Sequence, residues 1–419
     1  MNKILADPFQ VTTKPLKEYF MNWKDMAPKP YDKLKTAPYT KVRLILMNGT
    51  EFEANWFLHQ FARHTQDMDL KRELAVVRSQ EQQQQKRLSH LKPVDENILE
   101  TTIAYEQLAV DLTAILSKRE TNETNKQALN FALLEDFDHL YRFSNLLKTD
   151  YDIDADMLVG KFTEITPARP TIAEHRFAAD NVKPSMCLNS SDPFSALTAN
   201  IITAAEQQTM NYYMNVGAFY PNEEGRKLYA EIAMVEEEHV TQYESLLDPN
   251  LTWLENWVLH EYTEAYLYYS MALDESDPNI KSIYESHYEM EAAHLKKAVE
   301  CLKKYENKTP ESLLKVTRFP EPLKFGSNKE FIRRVLERTS ELTAEKDGYI
   351  LVDHLDENSD FAAYQRMING DPESVPSHAV IKRTIKKFGE DYRYEDAPNP
   401  VAALRPRDRD NTTLGRVVK

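Results

Sequence analysis

The chain has 419 residues and a net charge of −15, enough length for two or three domains and the wrong sign of charge for a nucleic-acid partner. Nine glycines, 28% charged residues and Gln-, Glu-, Leu- and Ala-rich stretches over about residues 50–305 favour helix over sheet. No apolar run reaches the length of a membrane span, MNKILADPFQ carries no secretory apolar region, and two cysteines, Cys187 and Cys301, exclude a disulfide framework and a Cys-rich iron site, so a cytoplasmic location is expected.

Residues 1–40 read as an irregular N-terminal arm rich in Pro, Lys and Tyr. A helix is predicted over Tyr39–Thr65, with a turn or kink at Asn48-Gly49 as the alternative. Further helices are predicted over Met68–Leu91, Glu96–Ser117 and Lys126–Leu147, giving a first four-helix bundle over 41–148. Residues 149–192 hold Pro167, Pro170 and Pro184 without a helical period, which predicts a long linker packed on the surface. The order then repeats. Helices are predicted over Ser195–Val216, from Pro221-Asn222 to Leu247, over Leu251–Leu273, and from Asp277-Pro278 to Tyr305, giving a second bundle over 193–305. Residues 306–419 form a C-terminal extension with a helix over Lys329–Leu355 and an extended tail. The fold class is all-α, two tandem four-helix bundles.

One pattern occurs four times: a Glu, an acid thirty positions on, and a His three further. Glu206 precedes Glu236-x-x-His239, and Glu261 precedes Glu291-x-x-His294. Glu106 precedes Asp136-x-x-His139, and Glu51 precedes Glu81-x-x-Gln84, where the His is lost. Residues i and i+3 lie about 60° apart on a helix, so each acid shares a face with its imidazole. A Glu from each of two helices, with Glu-x-x-His from each of two others, is the ligand set of a carboxylate-bridged two-metal site.

Charge separates metal from no metal. Glu206, Glu236, Glu261 and Glu291 would bring four negative charges into a bundle centre, and one unpaired buried carboxylate already costs several kcal/mol. Two divalent cations cancel that charge, and two neutral imidazoles, His239 and His294, complete the shells. Oxygen and nitrogen donors suit iron or manganese. Glu51, Glu81, Gln84, Glu106, Asp136 and His139 make a second, degenerate set in the first bundle. Tyr212, Tyr213, Tyr266, Tyr268 and Tyr269 lie near Glu206 or Glu261 in sequence and fit either core packing or contact with a bound oxidant. His287 shares the face of Glu291 and His294 and is placed to orient a ligand. Glu135 is an alternative to Asp136, at i, i+4 to His139. His59 and His64 read as surface or core residues, and Trp56, Trp253, Trp257 and Cys301 as packing.

These motifs resemble the ferritin-like superfamily of di-metal carboxylate proteins, as a tandem duplication over about 42–305, with rubrerythrins and manganese catalases nearest in pattern. Glu264 gives Glu-x-x-Glu with Glu261, and rubrerythrin-like sites use an extra third-helix Glu that replaces a ligand when the iron changes oxidation state. The resemblance implies two iron or manganese ions in the second bundle, held by Glu206, Glu236, His239, Glu261, Glu264, Glu291 and His294. It implies reduction of hydrogen peroxide or dioxygen, with Glu264, Tyr213 and Tyr268 taking part. The chain has no Cys-rich rubredoxin module, so electrons would come from a separate donor protein. A dimanganese catalase and a non-catalytic iron-binding protein are the alternatives. No nucleic-acid or membrane partner is expected, and a homo-oligomer stays open.

Overall fold

The computed structural model describes residues 4–315, 317–371 and 374–406. The fold is all-α. After two 3-10 turns, Pro8–Gln10 and Leu16–Tyr19, come α1 (Pro38–His64), α2 (Met68–Ser89), α3 (Ile98–Arg119), α4 (Glu123–Tyr151) and the single turn α5 (Ala155–Leu158). Then follow α6 (Pro193–Gly217), α7 (Glu223–Ser245), α8 (Trp253–Asp274), α9 (Pro278–Glu306) and α10 (Lys329–Thr339). A hairpin of β1 (Leu342–Glu345) and β2 (Gly348–Leu351) precedes α11 (Asp360–Ile368) and α12 (Pro376–Phe388).

The starts obey capping chemistry. Asn97 and Glu100 form a capping box at α3, as Thr252 and Glu255 do at α8, each satisfying two backbone N–H groups. Asp277 caps α9 with Pro278 in its first turn. α1 does not break at Asn48-Gly49. Gly49 is there for space, since a Cβ on it would meet the Gln208 Oε1 of α6 at 2.5 Å.

The chain divides into two compact units, and they do not follow the bundles 41–148 and 193–305 expected from sequence order. The first unit comprises Met1–Glu96, Met186–Gln208 and Leu247–Phe325, and the second Asn97–Ser185, Thr209–Leu246 and Gly326–Lys419. The hairpin α1–α2 therefore packs with α8–α9, not with α3–α4. The physical reason is that each hairpin carries half of the same buried polar pattern, so any other hairpin can complete it. In the first unit Arg43 of α1 pairs with Asp274, the last residue of α8, and with Glu275 just after it, at 2.7 and 2.9 Å. The N-terminal arm lies along α9, with Tyr19 packed on Met290 and Ala293 and its hydroxyl 2.8 Å from Glu289.

In the second unit, α4 packs on α3, α7, α10 and α12. Ile332, Val335 and Leu336 of α10 join Leu133, Leu134 and Phe137 of α4 in one apolar cluster, each buried side chain contributing roughly 2 kcal/mol. The helix expected over Lys329–Leu355 stops at Thr339. Beyond it, Leu-Thr-Ala-Glu pairs antiparallel with Gly-Tyr-Ile-Leu, in the register Leu342↔Leu351 and Glu345↔Gly348. Lys346 takes φ 51° in the two-residue turn Lys346-Asp347, and Asp347-Gly348, which closes the turn and opens β2, is the signal that sequence reading passed over.

The segment 149–192 is not a surface linker. Its first residues continue α4 to Tyr151, and Thr163, Arg169, Glu174, Arg176 and Asn181 are buried. Proline denies it a helical period, but its guanidinium groups are drawn to acids of α4. The tail from Asp396 is described only to Pro406, and residues 407–419 lie outside the described residues. No helix among those searched is long and apolar enough to cross a membrane.

Candidate metal centres

The expected set Glu206, Glu236, His239, Glu261, Glu291 and His294 is not one cluster. In the first unit, Glu81 of α2, Glu261 of α8, and Glu291 and His294 of α9 bring one ligand atom each within 4.8 Å of one another. Glu51 of α1, the same Glu81, and Glu264 of α8 form an overlapping group. All six are fully buried or within 1% of it. The supposedly degenerate acids Glu51 and Glu81 thus stand with half of the supposedly complete set.

The imidazole is aimed by its neighbours. His294 Nε2 lies 3.0 Å from Gln80 Oε1. A proton there leaves the Nδ1 lone pair facing Glu81 at 2.7 Å, Glu291 at 3.3 Å and Glu261 at 3.8 Å, the orientation a metal-ligating histidine needs. Gln84 donates its amide N–H to Glu291 and leaves its Oε1 buried without a hydrogen bond, a weaker donor than the imidazole found in the other copies of the pattern. Tyr268 donates to Glu51, and His287 Nδ1 sits 3.0 Å from the same hydroxyl. Burial, then Arg87 and His294, push His287 well below the ordinary histidine range. It orients Tyr268. Trp257, expected only to pack, donates its indole N–H to Glu261 at 2.5 Å.

In these two groups five acids face a single imidazole. Both oxygens of Glu264, both of Glu81, one of Glu51 and one of Glu261 accept no hydrogen bond. Burial and then the neighbouring carboxylates push Glu51, Glu261 and Glu264 well above the usual range, and Glu291 up to about 7. Burial alone would push His294 down, but Glu81 and Glu291 lift it well above. An acid cluster that must recruit protons to persist is one that divalent cations would satisfy, and the donor set, buried oxygens with one imidazole, fits them.

The second unit holds the related cluster. Asp136, Glu236 and His239 approach within 4.8 Å of one another, and Glu106, His139 and Glu236 form an overlapping group. His139 Nδ1 and His239 Nδ1 each lie 3.1 Å from a different oxygen of Glu236. Burial pushes Glu236 up, but these two rings more than offset it and hold the carboxyl well below its usual range. Tyr213 donates to Glu106 at 2.5 Å, as Tyr268 does to Glu51. Glu206 is buried on α6.

Glu135 does not compete with Asp136 for the cluster. It holds His239 Nε2 at 2.8 Å, the role Gln80 has for His294, at the corresponding position before each second acid. It accepts from Arg169 at 2.6 Å and also from Arg176. Burial raises the Glu135 carboxyl, but the two guanidinium groups overcome this and bring it to about 2. Sequence reading missed both arginines. The signal was two arginines in a proline-bearing stretch that has no helical period to place them on a solvent face.

Of the remaining candidates, Tyr212 stacks on Tyr105 with centroids 4.2 Å apart, Tyr266 bonds the Glu321 carbonyl at 2.7 Å, and Tyr269 packs on Phe319. His59 and His64 are exposed. Trp253 stacks on Phe61, whereas Trp56 is half exposed. Cys301 is a buried free thiol that burial pushes up to about 11. Comparisons with protein-family models, with curated proteins and with solved structures return no match.

Proposed function

We propose that this protein is a non-haem di-metal oxidoreductase, with iron the first expectation, that reduces hydrogen peroxide or dioxygen using electrons from a separate donor. The observation that carries this reading is Glu81, a single buried carboxylate common to two overlapping ligand groups. A bridge between two neighbouring cations needs such a residue. Glu236 has the same relation to Asp136 and His239 on one side and to Glu106 and His139 on the other. Glu206, thirty positions ahead of Glu236, is the further acid that the sequence pattern assigns to this second set.

A bound redox-active metal pair would supply electrons and Lewis acidity to a small oxidant. The chain's own residues do the rest. Gln80 and Glu135 aim His294 and His239. Tyr268 and Tyr213 each donate a hydroxyl proton to a carboxylate, Glu51 and Glu106, at the edge of each cluster, and reduction of an O–O bond consumes protons. Burial of every cluster member named here keeps bulk water out.

One observation favours a dimanganese catalase as the second reading. The first cluster is rich in carboxylate oxygens and has one imidazole in its groups, and oxygen donors suit manganese. Metal analysis of protein isolated without oxygen, followed by peroxide consumption with and without a reductant, tests both. Consumption that needs the reductant supports the first reading, and sustained oxygen release without it supports the second. A chain that binds no transition metal overturns both.

A further inference from the structure

The two clusters are related by the repeat, and they differ in one paired way. Position 84 in the first corresponds to 139 in the second, and position 264 to 209, each at an offset of 55. The first unit has Gln84 and Glu264, whereas the second has His139 and Thr209. Where the imidazole is lost on one helix, a carboxylate appears on another. The geometry explains the exchange. Glu264 comes within 4.8 Å of Glu51 and Glu81, the half of the first cluster that holds no histidine. Both of its oxygens are buried and accept no hydrogen bond. The Gln84 N–H, meanwhile, donates to Glu291, and its Oε1, buried without a hydrogen bond, is a neutral amide oxygen and a poor ligand beside that carboxylate.

We infer that Glu264 occupies the coordination place that Gln84 gave up, as a permanent ligand, and that the first cluster therefore prefers harder cations than the second. Resting on the di-metal reading above, this deepens it. A carboxylate that moves on and off with oxidation state needs another donor to take its place, and Gln84 is a poor one. Glu264 is thus no switch. With Glu51, Glu81 and Glu264 on one side, that cation meets only oxygen. Its counterpart in the second unit meets the imidazole of His139 beside Glu106 and Glu236. Carboxylate oxygen suits manganese, while imidazole shifts preference toward iron and zinc.

The test loads the metal-stripped full-length chain with Zn2+ limiting and Mn2+ in large excess, because a given site binds Zn2+ more tightly than Mn2+. Total metal is counted by elemental analysis, and manganese is followed by its electron paramagnetic resonance, which distinguishes a coupled pair from single ions. The wild type should retain both metals. Glu264→Gln should lose about 10-fold or more in Mn2+ affinity, the lower end of what loss of a supporting group costs at a metal site, with zinc retention unchanged. Gln84→His/Glu264→Thr, which writes the second pattern into the first cluster, should restore the metal count and take zinc where manganese was held. It also guards against a misfolded single variant, since recovery requires an intact fold. Equal Mn2+ affinity in wild type and Glu264→Gln overturns the inference while leaving the di-metal reading standing. So does a double variant that still prefers manganese. Absence of bound metal in the wild type overturns the di-metal reading itself.

Discussion

His294 Nδ1 of α9 stands 2.7 Å from Glu81 Oε1 of α2, although the helices α3 to α8 separate the two in the chain. That contact joins a histidine of the apparently complete ligand set to an acid of the apparently decayed one. It makes Glu81 the residue on which the first cluster turns.

Glu81→Gln removes the carboxylate shared by both groups. The variant should lose its metal pair from the first unit and keep metal in the second, read as a fall, not an abolition, in metal per chain. In metal-stripped protein the same change leaves the buried His294 ring without the carboxylate 2.7 Å away and should cost about 3 kcal/mol. Denaturant unfolding of stripped wild type and variant measures this. A stripped variant as stable as wild type would contradict it.

Gln80→Leu deletes the acceptor of His294 Nε2. The ring loses its fixed tautomer and orientation, and affinity for the first pair should fall about 10–100-fold. Glu291→Ala should cost more, because it removes a ligand. Competition with a chelator measures both, and an unchanged affinity in Gln80→Leu would show that Gln80 has no part in aiming the ring.

Arg169→Met leaves Glu135, held at about 2 by Arg169 and Arg176, with one guanidinium instead of two. Breaking a buried ion pair from one side costs about 3–5 kcal/mol, and the loss should appear in unfolding free energy. Glu135→Ala should weaken metal binding in the second unit as well, since His239 loses its Nε2 partner. A change of less than about 1 kcal/mol in Arg169→Met would place the guanidinium outside the network.

A pH effect away from the clusters follows from His175. Its Nδ1 lies 2.8 Å from Asn369 Oδ1, and its Nε2 3.2 Å from Glu231. Burial lowers the imidazole, but Glu231, Glu238 and Asn369 more than offset it and hold it above the usual 6.5. Burial raises Glu231, but His175 and Ser377 hold it below the usual 4.5. The histidine contributes in full below about 6.5 and loses its contribution as pH rises through its raised folded value. The glutamate contributes above about 4.5 and loses its contribution as pH falls through its lowered one. The stability difference between wild type and His175→Gln should therefore be largest near pH 5–6 and shrink as pH rises above about 6.5. A pH-independent difference would rule out a charged His175.

Helix positions, helix starts and the acids destined for burial were legible in the sequence. Apolar periodicity and capping residues act within a few turns, and an acid repeated at a fixed spacing on a helix marks one face. Gly49 shows the limit of that local reading, since its reason lies on α6. Asp347-Gly348 shows a signal present but outweighed by the helical composition around it. Which hairpin faces which was decided only by tertiary packing. Glu81 and Glu236 carry equivalent motifs, so spacing cannot tell whether His294 completes the set of one or of the other. The partners of Glu135 were equally hidden. Arg169 and Arg176 reach it from a segment without regular structure, and long-range charge pairing leaves no period in a sequence.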